Sequence, residues 1–414
     1  MYIELAILAL FTFFYSVVAG RIEKLPVSGP IIFVITGLML GPLGLGWFKD
    51  DVSQVGFRML VDLTLALILF IDAANADIST LRRQWRIPTR MLGLGLPGAI
   101  ALGFIIAAWL FDNLTVYEAA LLATMLAATD AALGKAVVSN PAVPSRLREG
   151  LNSESGLNDG LCVPILLVFI ALAQGSVADE ATLALTLVAK ELGIGAVVGL
   201  VVAGSGARVL DFCHKRDWIS EVWMQVSVPA LAIASFAIAQ SLHGSGYIAA
   251  FVGGMLFGFM AKSSTHKLVM PGEAISESMA MLTWLIFGVA VIGQSVGAFT
   301  WEIVAYAILS LTLIRMLPIF LSLIGTGETP SSKLFLGWFG PRGLASIVFA
   351  IIVLNEDLPG GEFLAMVVTC TVGLSLIAHG VSANPLAGWI ARRESAAHTA
   401  GNHPSTPDRG EDHD

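Results

Sequence analysis

Hydrophobic residues in this chain come in long blocks separated by short polar stretches. Apolar runs able to cross about 30 Å of hydrocarbon lie at about 2–20, 28–46, 58–77, 88–111, 115–139, 151–173, 183–209, 221–242, 245–261, 276–297, 300–324, 333–355 and 362–390. Lipid offers no hydrogen-bond partner to an exposed backbone, so each run is expected to be helical. The pattern therefore predicts an all-α polytopic membrane protein of about thirteen transmembrane helices.

Composition agrees. Of 414 residues, 56% are hydrophobic and only 13% charged, with a mean hydropathy of +0.80. A soluble domain of that length needs far more charged surface. The 42 glycines suit close approach between membrane helices. A net charge of -8 argues against a nucleic-acid partner. Cys162, Cys213 and Cys370 have no metal-ligand spacing. The first run lacks a basic n-region, so it is expected to be a retained span and not a cleaved signal.

Lysine and arginine set the expected orientation. With the N-terminus outside, one set of loops and the tail hold 17 of the 23 basic residues: Arg21, Lys24, Arg82, Arg83, Arg86, Arg90, Arg146, Arg148, Arg208, Lys215, Arg216, Lys262, Lys267, Lys333, Arg392, Arg393 and Arg409. Lys49, Arg58 and Lys190 fall on the other side. The positive-inside rule then places the C-terminus in the cytoplasm. From about Glu394 the chain lacks an apolar run and is expected to be a short disordered tail, 394–414.

Ionisable groups inside spans are costly and mark functional positions. The densest set is Leu151-Asn-Ser-Glu-Ser-Gly-Leu-Asn-Asp-Gly160 in the sixth run. On a helix, Ser155 and Asp159 share one face at i,i+4, and Glu154 and Asn158 share the neighbouring one. The fifth run carries Thr129-Asp130 in an apolar stretch, where both side chains compete for backbone hydrogen bonds and favour a helix break. Asp130 is there either an ion ligand or a cap on a half-helix. The twelfth run holds Gly337-Trp-Phe-Gly-Pro-Arg-Gly343, which cannot stay a regular helix. Arg342 is expected to neutralise half-helix C-termini. Two breaks seven spans apart fit an inverted-topology repeat, spans four to six against eleven to thirteen. Arg315 in the eleventh run needs an anion, and Glu154 is the candidate. Asp72, late in the third run, is either a further ligand or an interfacial residue, and is read as the former. Asp62 is expected to be solvated, and His243, His266 and His379 to be interfacial.

In these motifs the chain resembles the monovalent cation/proton antiporter family that includes bacterial NhaP-type and eukaryotic sodium/proton exchangers. Thr129-Asp130, Glu154-Ser155-x-x-Asn158-Asp159, the span-eleven Arg315 and Gly340-Pro341-Arg342-Gly343 occur in order on the matching runs. The resemblance implies that Asp159 carries the cation and the proton, assisted by Ser155, Thr129, Asp130, Asn158 and Asp72, with Glu154 and Arg315 as a structural pair. Na+ would sit at Asp159, Ser155, Thr129 and Asp72. It implies a homodimer in the inner membrane, no cofactor, a core of about 88–173 and 300–390, and a scaffold of about 1–80 and 183–297. Asn158, where a second aspartate would add a charge, implies electroneutral one-for-one exchange. Two departures stand out: Ala131 replaces the usual proline, and Lys135 has no counterpart in the pattern.

The expected activity is thus Na+ (or Li+) for H+ exchange, with K+/H+ exchange as the alternative. No His-Glu-x-x-His occurs, and no nucleophile–base spacing of an intramembrane hydrolase stands out. A passive channel differs from an exchanger by lacking proton-coupled cation movement.

Overall fold

A computed structural model describes residues 2–22, 28–48, 54–75, 86–130, 133–138, 140–175, 178–261, 265–292 and 296–401. Lys24, Lys49, Arg82, Arg83, Ala131, Lys262 and Arg409 lie outside these residues, as do the Lys135, His266 and Lys267 side chains.

The described chain is helical from end to end, with no strand among its described residues. The helices are α1 Tyr2–Ile22, α2 Gly29–Leu40, α3 Gln54–Asn75, α4 Arg86–Leu110 with a π-helical turn at Met91–Gly95, α5 Val116–Met125 and α6 Lys135–Val138. They continue as α7 Ser145–Gln174, α8 Ala178–His214, α9 Glu221–Ser241, α10 Gly246–Ala261 and α11 Thr265–Ile286. The last are α12 Trp301–Leu311, α13 Leu313–Ser322, α14 Pro330–Trp338, α15 Leu344–Leu354 and α16 Gly361–Gly401. Among the described residues, seven helical stretches are long and apolar enough to span a bilayer. Their outward faces carry large apolar side chains such as Phe13, Trp109, Val201, Trp223 and Val381. A surface of that kind needs lipid.

Local sequence sets the ends. Thr115 and Glu118 form a reciprocal capping box at the start of α5. Thr329 accepts from the Ser332 N–H, and Pro330 occupies the first turn of α14, where its missing donor costs nothing. The carboxylate of Glu118 also accepts from the Gly360 N–H at 2.7 Å, tying the start of α5 to the approach of α16.

Packing sorts the helices into two groups. Helices α2, α3, α8, α9, α10 and α11 pack on one another, and so do α4, α5, α7 and α12 to α16. The groups meet where α7 touches α3, α8 and α10 and where α15 touches α3. One large apolar core, including Leu65, Phe70, Leu121, Leu166, Phe251, Trp284 and Phe349, runs through both.

Four expectations need correction. The basic residues Arg146 and Arg148, expected in a loop, lie within the 30-residue helix α7, which begins at Ser145 and carries the polar stretch 151–160 as expected. The last helix continues past Glu394 to Gly401. Glu394 is itself buried, accepting from Arg146, Ser332 and Thr329, because those donors supply the partners that a solvated tail would take from water. Asp62 is half-buried between α3 and α10, where the Tyr247 hydroxyl donates to it at 2.7 Å. His379 is 1% exposed in the middle of α16 and not interfacial.

Candidate functional site

The two expected helix breaks meet. Helix α5 ends at Met125 and the chain runs on without regular structure to Asp130; α14 ends at Trp338 and α15 begins at Leu344. Each broken end leaves backbone groups without helical partners, and the opposite segment supplies them. Asp130 donates its N–H to the Pro341 carbonyl at 2.8 Å, and its Oδ2 accepts from the Leu344 N–H at 2.9 Å. Its carboxylate therefore caps the positive end of α15. Arg342 reaches the other way, donating through Nη1 to the Ala127 and Ala128 carbonyls at 3.1 and 3.2 Å. The Ser346 hydroxyl donates to the Met125 carbonyl at 2.8 Å.

So close a crossing explains the Gly-Pro-Arg-Gly run. A Cβ on Gly343 would overlap the Asp130 carboxylate, and one on Gly340 would overlap the Arg315 guanidinium. Pro341 loses nothing by lacking an N–H, because its carbonyl is the group used.

Beside the crossing lies the ion pair. Arg315 donates through Nη1 and Nη2 to the two oxygens of Glu154 at 2.8 and 2.9 Å, with the side chains 1% and 0% exposed. That two-point geometry is the strong form of a carboxylate–guanidinium contact. Asn158, one turn on from Glu154, donates through Nδ2 toward Glu154 Oε1, Thr129 Oγ1 and the Ala127 carbonyl at 3.0 to 3.1 Å. Its Oδ1 accepts from Cys162 Sγ at 3.2 Å. The amide, grouped by sequence with the ion-binding residues, is thus spent on joining the ion pair to the break in α5.

Asp159 is different. It is 7% exposed and held at the Thr129 backbone, yet its Oδ1 is buried and accepts no hydrogen bond among the described residues. Ser155, one turn back, is 6% exposed, with its hydroxyl 3.3 Å from that of Thr129. The charges surrounding Asp159 are Asp130, Asp72 and Glu154. Asp72 reaches the site from α3, its Cβ 3.5 Å from where a Gly156 side chain would begin. Four carboxylates (Asp72, Asp130, Glu154, Asp159) face two guanidiniums (Arg315, Arg342), so full ionisation leaves two negative charges in excess, 4 − 2. Such an excess in a low-dielectric interior demands protons or a cation.

The nominated residues Asp159, Ser155, Asp130, Thr129, Asp72, Asn158, Glu154, Arg315 and Arg342 thus fall in one cluster, and the side chain of Lys135, the unexplained departure, lies outside the described residues. Sequence reasoning missed His379. Its Nε2 bonds the Trp338 carbonyl at 2.9 Å, the open end of α14, and its Nδ1 contacts Ser375. The Ser375 hydroxyl accepts from the Arg342 N–H at 2.7 Å. The signal was present as Ser375-x-x-x-His379, a polar pair at one-turn spacing in an apolar helix.

Comparison with known proteins decides the family. The family described as sodium/hydrogen exchanger, transmembrane, matches residues 7–389. The chain belongs to that family. A K(+)/H(+) antiporter NhaP of Alkalimonas amylolytica is 25% identical over 397 residues, covering 94% of this chain and 67% of that protein. A K(+)/H(+) antiporter NhaP2 of Shewanella sp. (strain MR-4) is 23% identical, over 91% of this chain and 64% of its own length. This exchanger-family chain thus spans about two-thirds of the length of those relatives. A Na(+)/H(+) antiporter NhaH of Halobacillus dabanensis is 26% identical, over 92% of this chain and 96% of that one. The structure of the sodium proton antiporter MjNhaP1 from Methanocaldococcus jannaschii at pH 8 superposes with a TM-score of 0.75 at 22% identity, over 92% of this chain and all of that one. The exchanger fold is therefore shared.

Proposed function

We propose that the chain exchanges Na+ (or Li+) for H+ across the cell membrane by alternating access, with Asp159 as the shared carrier. One observation carries the reading: a carboxylate buried among other acids, with one oxygen that accepts no hydrogen bond among the described residues. That oxygen can hold a proton or help to coordinate a dehydrated cation, and never both at once. Ser155 and Thr129 add neutral oxygens, and Asp72 adds a carboxylate from the other helix group. Competition for one site, with only an occupied site crossing, couples the two gradients without ATP. Glu154 and Arg315 hold the site together, Asp130 and Arg342 hold the helix breaks, and Asn158 offers no titratable group, which supports electroneutral one-for-one exchange.

The helix groups described above support a core, about 88–173 and 300–390, that moves against a scaffold, about 1–80 and 183–297. The distribution of basic residues supports an outside N-terminus and a cytoplasmic C-terminus in the inner membrane, and the family reading supports a homodimer. The names of NhaH and MjNhaP1 favour Na+. Those of NhaP and NhaP2 favour K+ as the second reading.

The test uses purified protein in proteoliposomes with an internal pH dye. Na+, Li+ and K+ are offered in turn to wild type and to Asp159→Asn. Wild type should move protons against Na+ or Li+, and the Asn variant should insert normally and move none. Substantial cation-driven proton flux by Asp159→Asn would remove the carrier assignment.

A further inference from the structure

Glu273 has no part in the exchange chemistry described so far. It lies on α11 where that helix packs on α3: a Cβ on the adjacent Gly272 would sit 3.1 Å from Ile71 Cδ1. Across this contact the Asn75 amide donates to Glu273 Oε1 at 2.5 Å. Asn75 is one helical turn beyond Asp72, so the two share a face of α3. Asp72 in turn stands in the fields of both Asp130 and Glu273. Its Cβ backs onto Gly156, within the turn that carries Ser155 and Asp159.

These contacts make a row from α11 through α3 to α7, and exposure falls along it. Glu273, Asn75 and Asp72 are half-buried, whereas Asp159 and Ser155 are 7% and 6% exposed. The row ends on Asp159 Oδ1, the buried oxygen that has no hydrogen-bond partner among the described residues. A line of oxygen ligands of rising burial fits a cation that sheds its water in stages. The Asn75 amide anchors one oxygen of Glu273, which fixes the carboxylate against the path at little entropic cost.

We infer that Glu273, held by Asn75 and working with Asp72, is a staging site for a partly hydrated monovalent cation on its way to Asp159. The inference rests on the reading of Asp159 as the exchange site. Glu273 concentrates the cation beside Asp72 and plays no part in proton competition. Its charge therefore acts on cation capture from its own side of the membrane and is weakened by screening salt.

The experiment measures initial exchange rates in proteoliposomes against NaCl, and separately KCl, for wild type, Glu273→Gln, Glu273→Asp, Asn75→Ala and the surface control Asp211→Asn. Each is run at low ionic strength and again with about 0.5 M choline chloride, which shortens the screening length to a few ångströms. Glu273→Gln should raise the apparent cation constant about three- to tenfold, by more than it lowers the maximal rate. Choline chloride should shrink the difference and Glu273→Asp should restore most of it. Asn75→Ala, which keeps the charge and loses its anchor, should shift the constant in the same direction by less, and Asp211→Asn should match wild type. An unchanged constant in Glu273→Gln, a fall in maximal rate alone, or a shift indifferent to salt overturns the inference. If Glu273→Gln does not fold, the apparent constants of Asn75→Ala and Glu273→Asp decide the matter in the same way. Wild type that fails to exchange defeats the Asp159 reading instead, so the two failures are distinguishable.

Discussion

Glu154→Gln removes one half of an ion pair whose side chains are 0% and 1% exposed. The two hydrogen bonds from Arg315, at 2.8 and 2.9 Å, lose their charged acceptor. Asn158 Nδ2 also loses its carboxylate acceptor at 3.0 Å. Stranding a buried charge in this way costs about 3–5 kcal/mol. At about 2.1 cal/mol/K per residue, 414 residues have an unfolding entropy of about 0.9 kcal/mol/K. The midpoint should therefore fall by about 3–6 °C. The assay is thermal unfolding in detergent, followed by intrinsic fluorescence and by the surviving monodisperse peak. Arg315→Met should fall by a similar amount. The double variant Glu154→Gln/Arg315→Met should recover most of the loss, because neither charge is then left alone. A midpoint within 1 °C of wild type for both single variants (about 1 kcal/mol), or strictly additive losses in the double variant, would refute a structural pair.

Two further changes probe the helix crossing. Gly343→Ala should push the Asp130 carboxylate off the Leu344 N–H, because the new Cβ overlaps it; the displaced site should lose exchange rate by about tenfold to a hundredfold, and wild-type rates would contradict the close approach. His379→Ala removes the ring contacts to the Trp338 carbonyl and Ser375, although that carbonyl keeps the Gly340 N–H at 2.8 Å, and should lower stability by about 1 kcal/mol while leaving the pH dependence of exchange in place; a changed pH dependence with unchanged stability would make His379 part of the proton path instead.

Much of the fold is legible in the chain because lipid tolerates so little. Charged residues are scarce enough that Asp130, Glu154, Asp159, Arg315 and Arg342 stand out against apolar neighbours, and the Glu154–Arg315 pairing follows from each needing a counter-charge. The Gly-Pro-Arg-Gly run announces a break because proline and glycine cannot sit there in a regular helix. What sequence does not show is which segment completes which. Asp130 caps α15, which starts more than 200 residues later, and Arg342 returns the service to the end of α5. Such reciprocity depends on tertiary approach, which local propensity does not encode. His379 escapes sequence reasoning for a related reason: it lies inside the apolar run 362–390, but the Trp338 carbonyl it bonds comes from a distant segment. Glu394 looks like the start of a tail because its partners Arg146, Ser332 and Thr329 come from distant segments.

The central claim is that one carboxylate serves both ions, and the apparent Na+ constant measured across pH tests it most directly. Exchange is followed in proteoliposomes at several pH values, with and without a potential set by valinomycin and K+. If protons and Na+ compete at Asp159, each tenfold rise in proton concentration below the site's pKa should raise the Na+ constant about tenfold. Asp130→Asn should leave that slope in place, since its carboxylate caps α15 and does not carry the ion. Rates should also be indifferent to the imposed potential, and a clear voltage dependence would refute the one-for-one stoichiometry alone. A Na+ constant that stays the same across the pH range would contradict the shared site itself.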